Sequence, residues 1–316
     1  MGAPRTAFRR SLDSLYDYLD NEIPLGALRS ADIFWVRSTL GVDDVNHGTF
    51  DAPFATLDYA IASAVASRGT LIFVKEGHSE TITGAGGITA DVAGVKIIGL
   101  GRGALRPTFL MDGATTVTFA ISAANVTVEN LIFKGGHSDI VTCFAITAAG
   151  ARIRRCSFIQ NTTDENFLTC IKATSTVDNN ADDLEVSNCY SEQIDVGTLE
   201  FIEINANLAR GRFEGNEVST RGTASPLILV AAGKIVTGVV IKGNSLAHAM
   251  TANELFYSND QSTSTGVAID NYCAHLDVTT THDLGLESSG INIFNLWSTS
   301  SIALQGGVVP AADVNN

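Results

Sequence analysis

Proline is scarce in this 316-residue chain, 6 residues against 29 glycines, so turns are many and rigid breaks few. Cysteine is sparse and odd in number: Cys143, Cys156, Cys170, Cys189 and Cys273. With an odd count and no C-x-x-C pair among them, neither a disulfide framework nor a zinc site is indicated. All five sit in apolar, strand-like contexts and read as small buried thiols. Positive charge is short as well. Lys and Arg total 20 against 34 Asp and Glu, a net charge of −14. That balance argues against a nucleic-acid or anionic-membrane binder, which needs a basic face. No run of about 18 apolar residues occurs, so no membrane span is expected. The opening "MGAPRTAFRRSLDSLYDYLDNEI" lacks the apolar stretch of a secretory signal. His78, His137, His248, His275 and His282 show no regular ligand spacing, so neither a metal nor a cofactor is expected.

What the chain does have is apolar bulk. Hydrophobic residues make up 45% and charged residues 17%, enough for a large core. Phe8, Leu12, Leu15, Tyr16 and Leu19 recur at helical spacing, and Pro24 and Gly26 end the pattern. This amphipathic arm has nothing local to pack on. It is either a docking arm for another subunit or a flap over the core. A strand, "DIFWVRS", follows at 32–38, then a polar loop. The spacing next predicts a helix over 53–68, opened by Pro53 and ended at Gly69, with Phe54, Leu57, Ile61 and Val65 in one stripe. "TLIFVKEG" is a buried strand.

After that the chain repeats itself. "AGVKIIGL", "ANVTVENL", "AGARIRRC", "DDLEVSNC" and "ANLARGRF" share a turn residue followed by apolar–polar alternation, with looser copies in "KIVTGVVIKGN" and "TGVAIDN". The equivalent positions are Val95, Val126, Ala151, Leu184, Leu208, Val236 and Val267, spaced roughly 24–33 residues apart. A second set of short strands falls between them: "VTFAIS", "TCFAIT", "LTCIKA", "EFIEIN", "LILVAA" and "ELFYSN". A period near 30 with several short strands is the mark of a β-solenoid, whose coils bury a core only by stacking. About eight coils over 71–298 give a column on the order of 40 Å long at ~4.8 Å per rung. A solenoid has open ends, and the 53–68 helix stands where an N-terminal cap is needed.

The stretch "APFATLDYAIASAVASRGTLIFVKEGHSETI" resembles the opening of right-handed parallel β-helix proteins of the pectate-lyase-like superfamily. Pro53, Phe54, Thr56, Ala60, Ile61, Gly69, Ile72, Val74, Gly77 and Glu80 match its pattern, and His78 stands near the family's usual aromatic. The resemblance implies an all-β, right-handed parallel β-helix with an N-terminal capping helix and a helical arm. It is specific for fold and says little about activity, because the superfamily mixes enzymes with inert virion components. The whole chain also resembles phage and viral structural β-helices, which are commonly homotrimers attached through their N-terminal part. The organisation expected is an arm at 1–38 for attachment or oligomerisation, a β-helix over 39–298, and a tail at 299–316.

Pectate lyases, which this fold resembles, use acidic clusters for calcium and an Arg or Lys as base. Arg152, Arg154 and Arg155 lie on one coil and Asp182, Asp183 and Glu185 on the next. Alternation turns Arg152 and Arg154 outward around Ile153, and Asp183 and Glu185 outward around Leu184, which describes a surface charge ladder. No ordered polygalacturonase-type signature set occurs around "DD" at 182–183. Glu200 and Glu203 are a local carboxylate pair, with "LEFIEI" placing Phe201 and Glu203 on one face and Glu200 and Ile202 on the other. Asn130, Asn188, Asn216, Asn244 and Asn271 fall near bends and read as a stacked asparagine ladder. "GLGRG" and "KGGH" read as coil corners, and Phe294 and Trp297 as cover for the last coil. The expectation is a non-enzymatic phage virion protein, a homotrimeric head decoration, fibre or spike on the particle surface. It would be made in the host cytoplasm and bound to other virion proteins through its arm. The alternatives are a tailspike-type polysaccharide depolymerase or lyase, and a carbohydrate-binding module for a host surface glycan.

Overall fold

The computed structural model describes residues 33–84, 86–162, 164–175, 181–193, 197, 199–221, 227–248, 257–258, 263–275, 290–294, 297–299 and 307–308. The arm stripe Phe8, Leu12, Leu15, Tyr16 and Leu19 and most of the 299–316 tail lie outside them, as do the side chains of Phe294 and Trp297.

The chain is an all-β, right-handed parallel β-helix. Each coil carries three short strands, one on each of three faces. Lys96–Gly99, Thr108–Asp112 and Phe119–Ile121 form one coil; Thr127–Glu129, Ile132–Gly135 and Ile140–Ile146 form the next. Stacking them gives a first sheet of ten strands, a second of ten and a third of seven. Seven coils are therefore complete among the described residues, one fewer than the eight expected. Register is direct. Ile97, Val128, Ile153, Val186, Phe213 and Ile241 lie above one another on the first sheet. One interior cluster runs through all three faces. Phe109, Phe133 and Phe158 stack in it at 5.6 and 5.9 Å between ring centroids.

The corners set the period. Before six of the first-sheet strands one residue takes the left-handed conformation: Gly94, Asn125, Gly150, Asp183, Arg210 and Gly238, with φ between 58° and 78°. Glycine, Asn and Asp tolerate this region best. The residues that follow, Val95, Val126, Ala151, Leu184, Gly211 and Val239, form the true column. Leu208 and Val236 do not belong to it. They pair with each other in a separate two-stranded step. A methyl group at Gly211 would lie 2.6 Å from Leu208 Cδ2, so Leu208 already fills the core volume that its coil leaves empty at 211. Val267 is displaced by one residue, opposite Val240.

The asparagines divide between two adjacent columns. Asn130 and Asn188 are left-handed corner residues, in line with Arg155, Gly215, Gly243 and Asp270. Asn216, Asn244 and Asn271 occupy the next position, in a buried row continued by Leu131, Cys156 and Cys189. These three alone form the hydrogen-bonded ladder. The Asn216 and Asn244 backbone N–H groups donate to Asn244 Oδ1 and Asn271 Oδ1, each at 3.0 Å.

The cap is shorter than its sequence pattern. The helix runs Leu57–Ala62, with Thr56 as N-cap. Pro53 and Phe54 precede it in extended chain, and Phe54 bridges Val36. Ser63 Oγ turns back to the Tyr59 carbonyl at 2.9 Å, and Ser67 is left-handed at φ 60°. The helix ends before Val65, which is 53% exposed, while Phe54, Leu57 and Ile61 are buried in the core. The edges at this end are closed. Trp35 N–H donates to the Gly48 carbonyl and Arg37 N–H to the Phe54 carbonyl. Thr89 N–H on the first strand of the third sheet donates to Asp58 Oδ1 at 3.0 Å. Edge strands left open would invite pairing with other chains.

Candidate functional site

The outward face of the first sheet carries the arginine and glutamate candidates. Arg152 stands opposite Glu185, and Arg154 opposite Ser187. Arg154 reaches diagonally to Glu185, Nε to Oε1 at 2.7 Å and Nη2 to Oε2 at 2.8 Å. Ser187 Oγ adds a third bond to Oε1 at 2.9 Å. Burial pushes the Glu185 carboxyl up, but hydrogen bonds from Arg154 and Ser187 outweigh it and leave the pKa below the usual value. Arg155, held left-handed at φ 52°, pairs with the buried Glu129. Bidentate arginine–carboxylate pairs are the strong form of a surface ion pair.

The acidic pair at 182–183 does not join this group, contrary to the ladder expected from alternation. Asp183 is the left-handed corner residue, and its carboxylate is forked by Arg210 of the next coil at 2.7 and 2.8 Å. That hydrogen bond holds the Asp183 pKa below its ordinary value. Asp182 accepts from Ala209 N–H at 2.8 Å and from Arg210 Nη2 at 3.3 Å. So Glu185 serves the coil before it, and the two aspartates serve the coil after.

Glu200 and Glu203 lie on the strand Glu200–Asn205 of the third sheet. Phe201 and Glu203 do not share a face as alternation predicts. Phe201 is buried against Phe158 at 5.8 Å between centroids, while Glu203 is half-buried and bonds Lys172 Nζ at 2.6 Å. Glu200 is 4% exposed and accepts from Thr169 Oγ1 at 3.0 Å. Burial pushes its carboxyl up to about 7, with the Glu203 charge adding to the rise. Two neighbouring carboxyls whose environments differ in this way are the raw material of acid–base chemistry. Thr169 and Lys172 were missed in the sequence, because their roles arise only from stacking opposite Glu200 and Glu203.

His78 is buried in the cap. Its Nδ1 accepts from Ser38 N–H at 3.0 Å, so Nε2 carries the proton that faces Glu80 Oε2 at 3.0 Å. Glu80 Oε2 also takes Leu57 N–H at 3.1 Å, tying the helix to the second sheet. Burial raises the thiols of Cys156 and Cys170 to about 12, far from a reactive thiolate. Among the described residues no group of three or more His, Cys, Asp or Glu is placed to hold a metal ion, and no helix is long and apolar enough to cross a membrane.

No family model matches the chain, and no curated protein matches it. Among solved structures the chain is similar to a rhamnogalacturonan lyase. The identity is 13% and the TM-score 0.47, over 84% of this chain and 73% of that one.

Proposed function

We propose that the chain is a non-catalytic structural β-helix of a phage particle, a head decoration, fibre or spike assembled as a homotrimer. The observation that supports this reading best is the use made of the charged candidates. Arg154 forks Glu185 and Arg210 forks Asp183, each across neighbouring coils. Side chains spent in this way stiffen the column and leave their carboxylates committed to arginine. The amphipathic arm and the resemblance to virion β-helices supply the particle context. The test is antibody labelling of native particles imaged at low resolution. Labelled particles are expected; protein found in the lysate with unlabelled particles overturns the reading. A solution mass near three times 33.3 kDa is expected, and a stable monomer contradicts the trimer.

A second reading, a polysaccharide depolymerase or lyase, is favoured by one observation, the Glu200 carboxyl near 7 beside Glu203. Under it the chain releases reducing or unsaturated ends from host polysaccharide, and Glu200→Gln abolishes the release. Glycan binding with no product selects a binding module instead.

A further inference from the structure

The three outward faces of the column differ in charge. On the first sheet Lys96, Arg152, Arg154, Glu185, Arg212 and Glu214 stand in two outward columns. The second sheet presents Lys134, Glu192 and Glu217. The third sheet differs over its five strands Phe119–Ile121, Ile140–Ile146, Phe167–Thr174, Glu200–Asn205 and Ile228–Val230. Their charged residues are Lys172, Glu203 and the buried Glu200, and Lys172 and Glu203 close on each other at 2.6 Å. In the same outward column as that pair stand Ala120, Ala145 and Leu229. A second column, Val141, Leu168 and Leu199, is apolar throughout. Val141 is 48% exposed and Leu199 37%, so this column forms a ridge. Four residues further along the strands, about 13 Å away, the methyl side chains of Ala120 and Ala145 floor a trough.

We propose that copies of this chain meet through the third-sheet face, the Val141–Leu199 ridge of one copy lying in the Ala120–Ala145 trough of the next. The inference rests on the reading of the chain as an oligomer and names the surface that reading leaves open. Charge selects the face. Each copy carries a net charge of −14, and like copies repel. Contact is opposed least where the charge is already closed within each copy, as Lys172 and Glu203 close it here. Relief selects it too, because a ridge and a trough on one surface are what a self-complementary contact needs. The size is sufficient. Five rungs at ~4.8 Å and six to seven residues across at ~3.3 Å give a face of about 500 Å² with side-chain width. Two such faces total roughly 1,000 Å², the lower bound of a specific interface, and three about 1,500 Å². A glycan would need hydrogen-bonding groups along the ridge, and Val141, Leu168 and Leu199 offer none from their side chains. The assembly covers Lys172 and Glu203, so this face is closed to polysaccharide in it.

The test is the solution mass of the full chain at one fixed concentration, with circular dichroism to confirm the fold. The parent is expected at a multiple of 33.3 kDa. Val141→Glu and Ala145→Arg are each expected to lower it to the mass of one chain, a threefold fall from a trimer. Val141 is already open to solvent in the single chain, so its variant decides the matter if Ala145→Arg fails to fold. Two controls keep the parental mass: Glu217→Lys on the second sheet, and Val45→Arg in the loop before the cap, where Val45 is 89% exposed. A folded Val141→Glu chain with the parental mass overturns the face and leaves the oligomer standing. Dissociation by Val45→Arg and not by Val141→Glu overturns it in favour of the loop. A parent of two chains that Val141→Glu splits contradicts the trimer and supports the face. A parent of one chain overturns both.

Discussion

One corner row of the column is built in two chemistries. Toward the N-terminal end it holds Cys156 and Cys189; toward the C-terminal end it holds Asn216, Asn244 and Asn271. The amides of the second half donate to carbonyls one coil back: Asn216 to Val186, Asn244 to Phe213 and Asn271 to Ile241, at 3.0, 2.9 and 2.8 Å. The thiols meet the same carbonyl row, Cys189 with Ile153 at 3.5 Å and Cys156 with Val128 at 3.7 Å. The amide oxygens accept along the same row. Asn244 Oδ1 takes the Asn216 N–H, and Asn216 Oδ1 takes the Cys189 N–H at 3.0 Å where the two halves meet. Sulfur thus performs weakly, and in less volume, the task that the amide performs strongly. The row, which begins at the apolar Leu131, teaches that the path of the chain at this corner does not require a side-chain hydrogen bond, while the residue type sets how firmly it is held.

Breaking the strong half gives the largest effect. Asn244→Leu strands the Asn216 N–H and the Phe213 carbonyl in a buried corner, and each unsatisfied group costs about 1–3 kcal/mol. The expected loss is roughly 3–5 kcal/mol in urea unfolding, and a loss under about 1 kcal/mol contradicts the ladder. Raising the pH acts on the weak half and not on the strong one, because amides do not titrate; the buried Cys143 and Cys170, raised likewise, add to the effect. The folded Cys156 thiol, near 12, lies above its ordinary 9.0, and Cys189 is raised as well. The Cys156 contribution is fully present below pH 9 and falls away as the pH rises from 9 toward 12, by roughly 1 kcal/mol per pH unit, and Cys189 acts in the same direction. Unfolding measured at pH 8 and pH 10 detects the slope, which Cys156→Ala reduces. Cys189→Ala removes the weak bond and a small volume at neutral pH, a loss of about 1–1.5 kcal/mol. The substitution that sharpens the comparison most is Cys189→Asn, which extends the amide ladder by one coil; the added hydrogen bonds offset the cost of the larger side chain, and stability stays within about 1.5 kcal/mol of the parent chain.

Much of this was legible in the sequence. The repeats beginning at Val95, Val126, Ala151 and Leu184 are first-sheet strands, and the intervening set from "VTFAIS" to "ELFYSN" is the third sheet. In the sequence the second sheet does not stand apart from the first. Strands such as Ile132–Gly135 and Ser157–Gln160 follow their first-sheet partners after one left-handed residue and one buried residue. Two strands on different faces then look like one alternating run. Leu208 looks like a column residue in the sequence because it does the packing of one, from a position three residues early. The signal that locates the corner is the dipeptide of a left-handed residue followed by the row: Arg155-Cys156, Asn188-Cys189, Gly215-Asn216, Gly243-Asn244 and Asp270-Asn271. The charged candidates were less legible. Asp182 and Asp183 adjoin Glu185 in sequence, but a corner lies between them and sends their charges to different arginines.

Long-wavelength anomalous scattering from crystals of the unmodified chain locates sulfur directly and tests the stacking of coils on which every pairing above depends. The account predicts two close sulfur pairs, Cys156 with Cys189 and Cys143 with Cys170, each about 5 Å apart as neighbours one rung removed. Sulfur sites scattered at separations well beyond one rung would contradict the column.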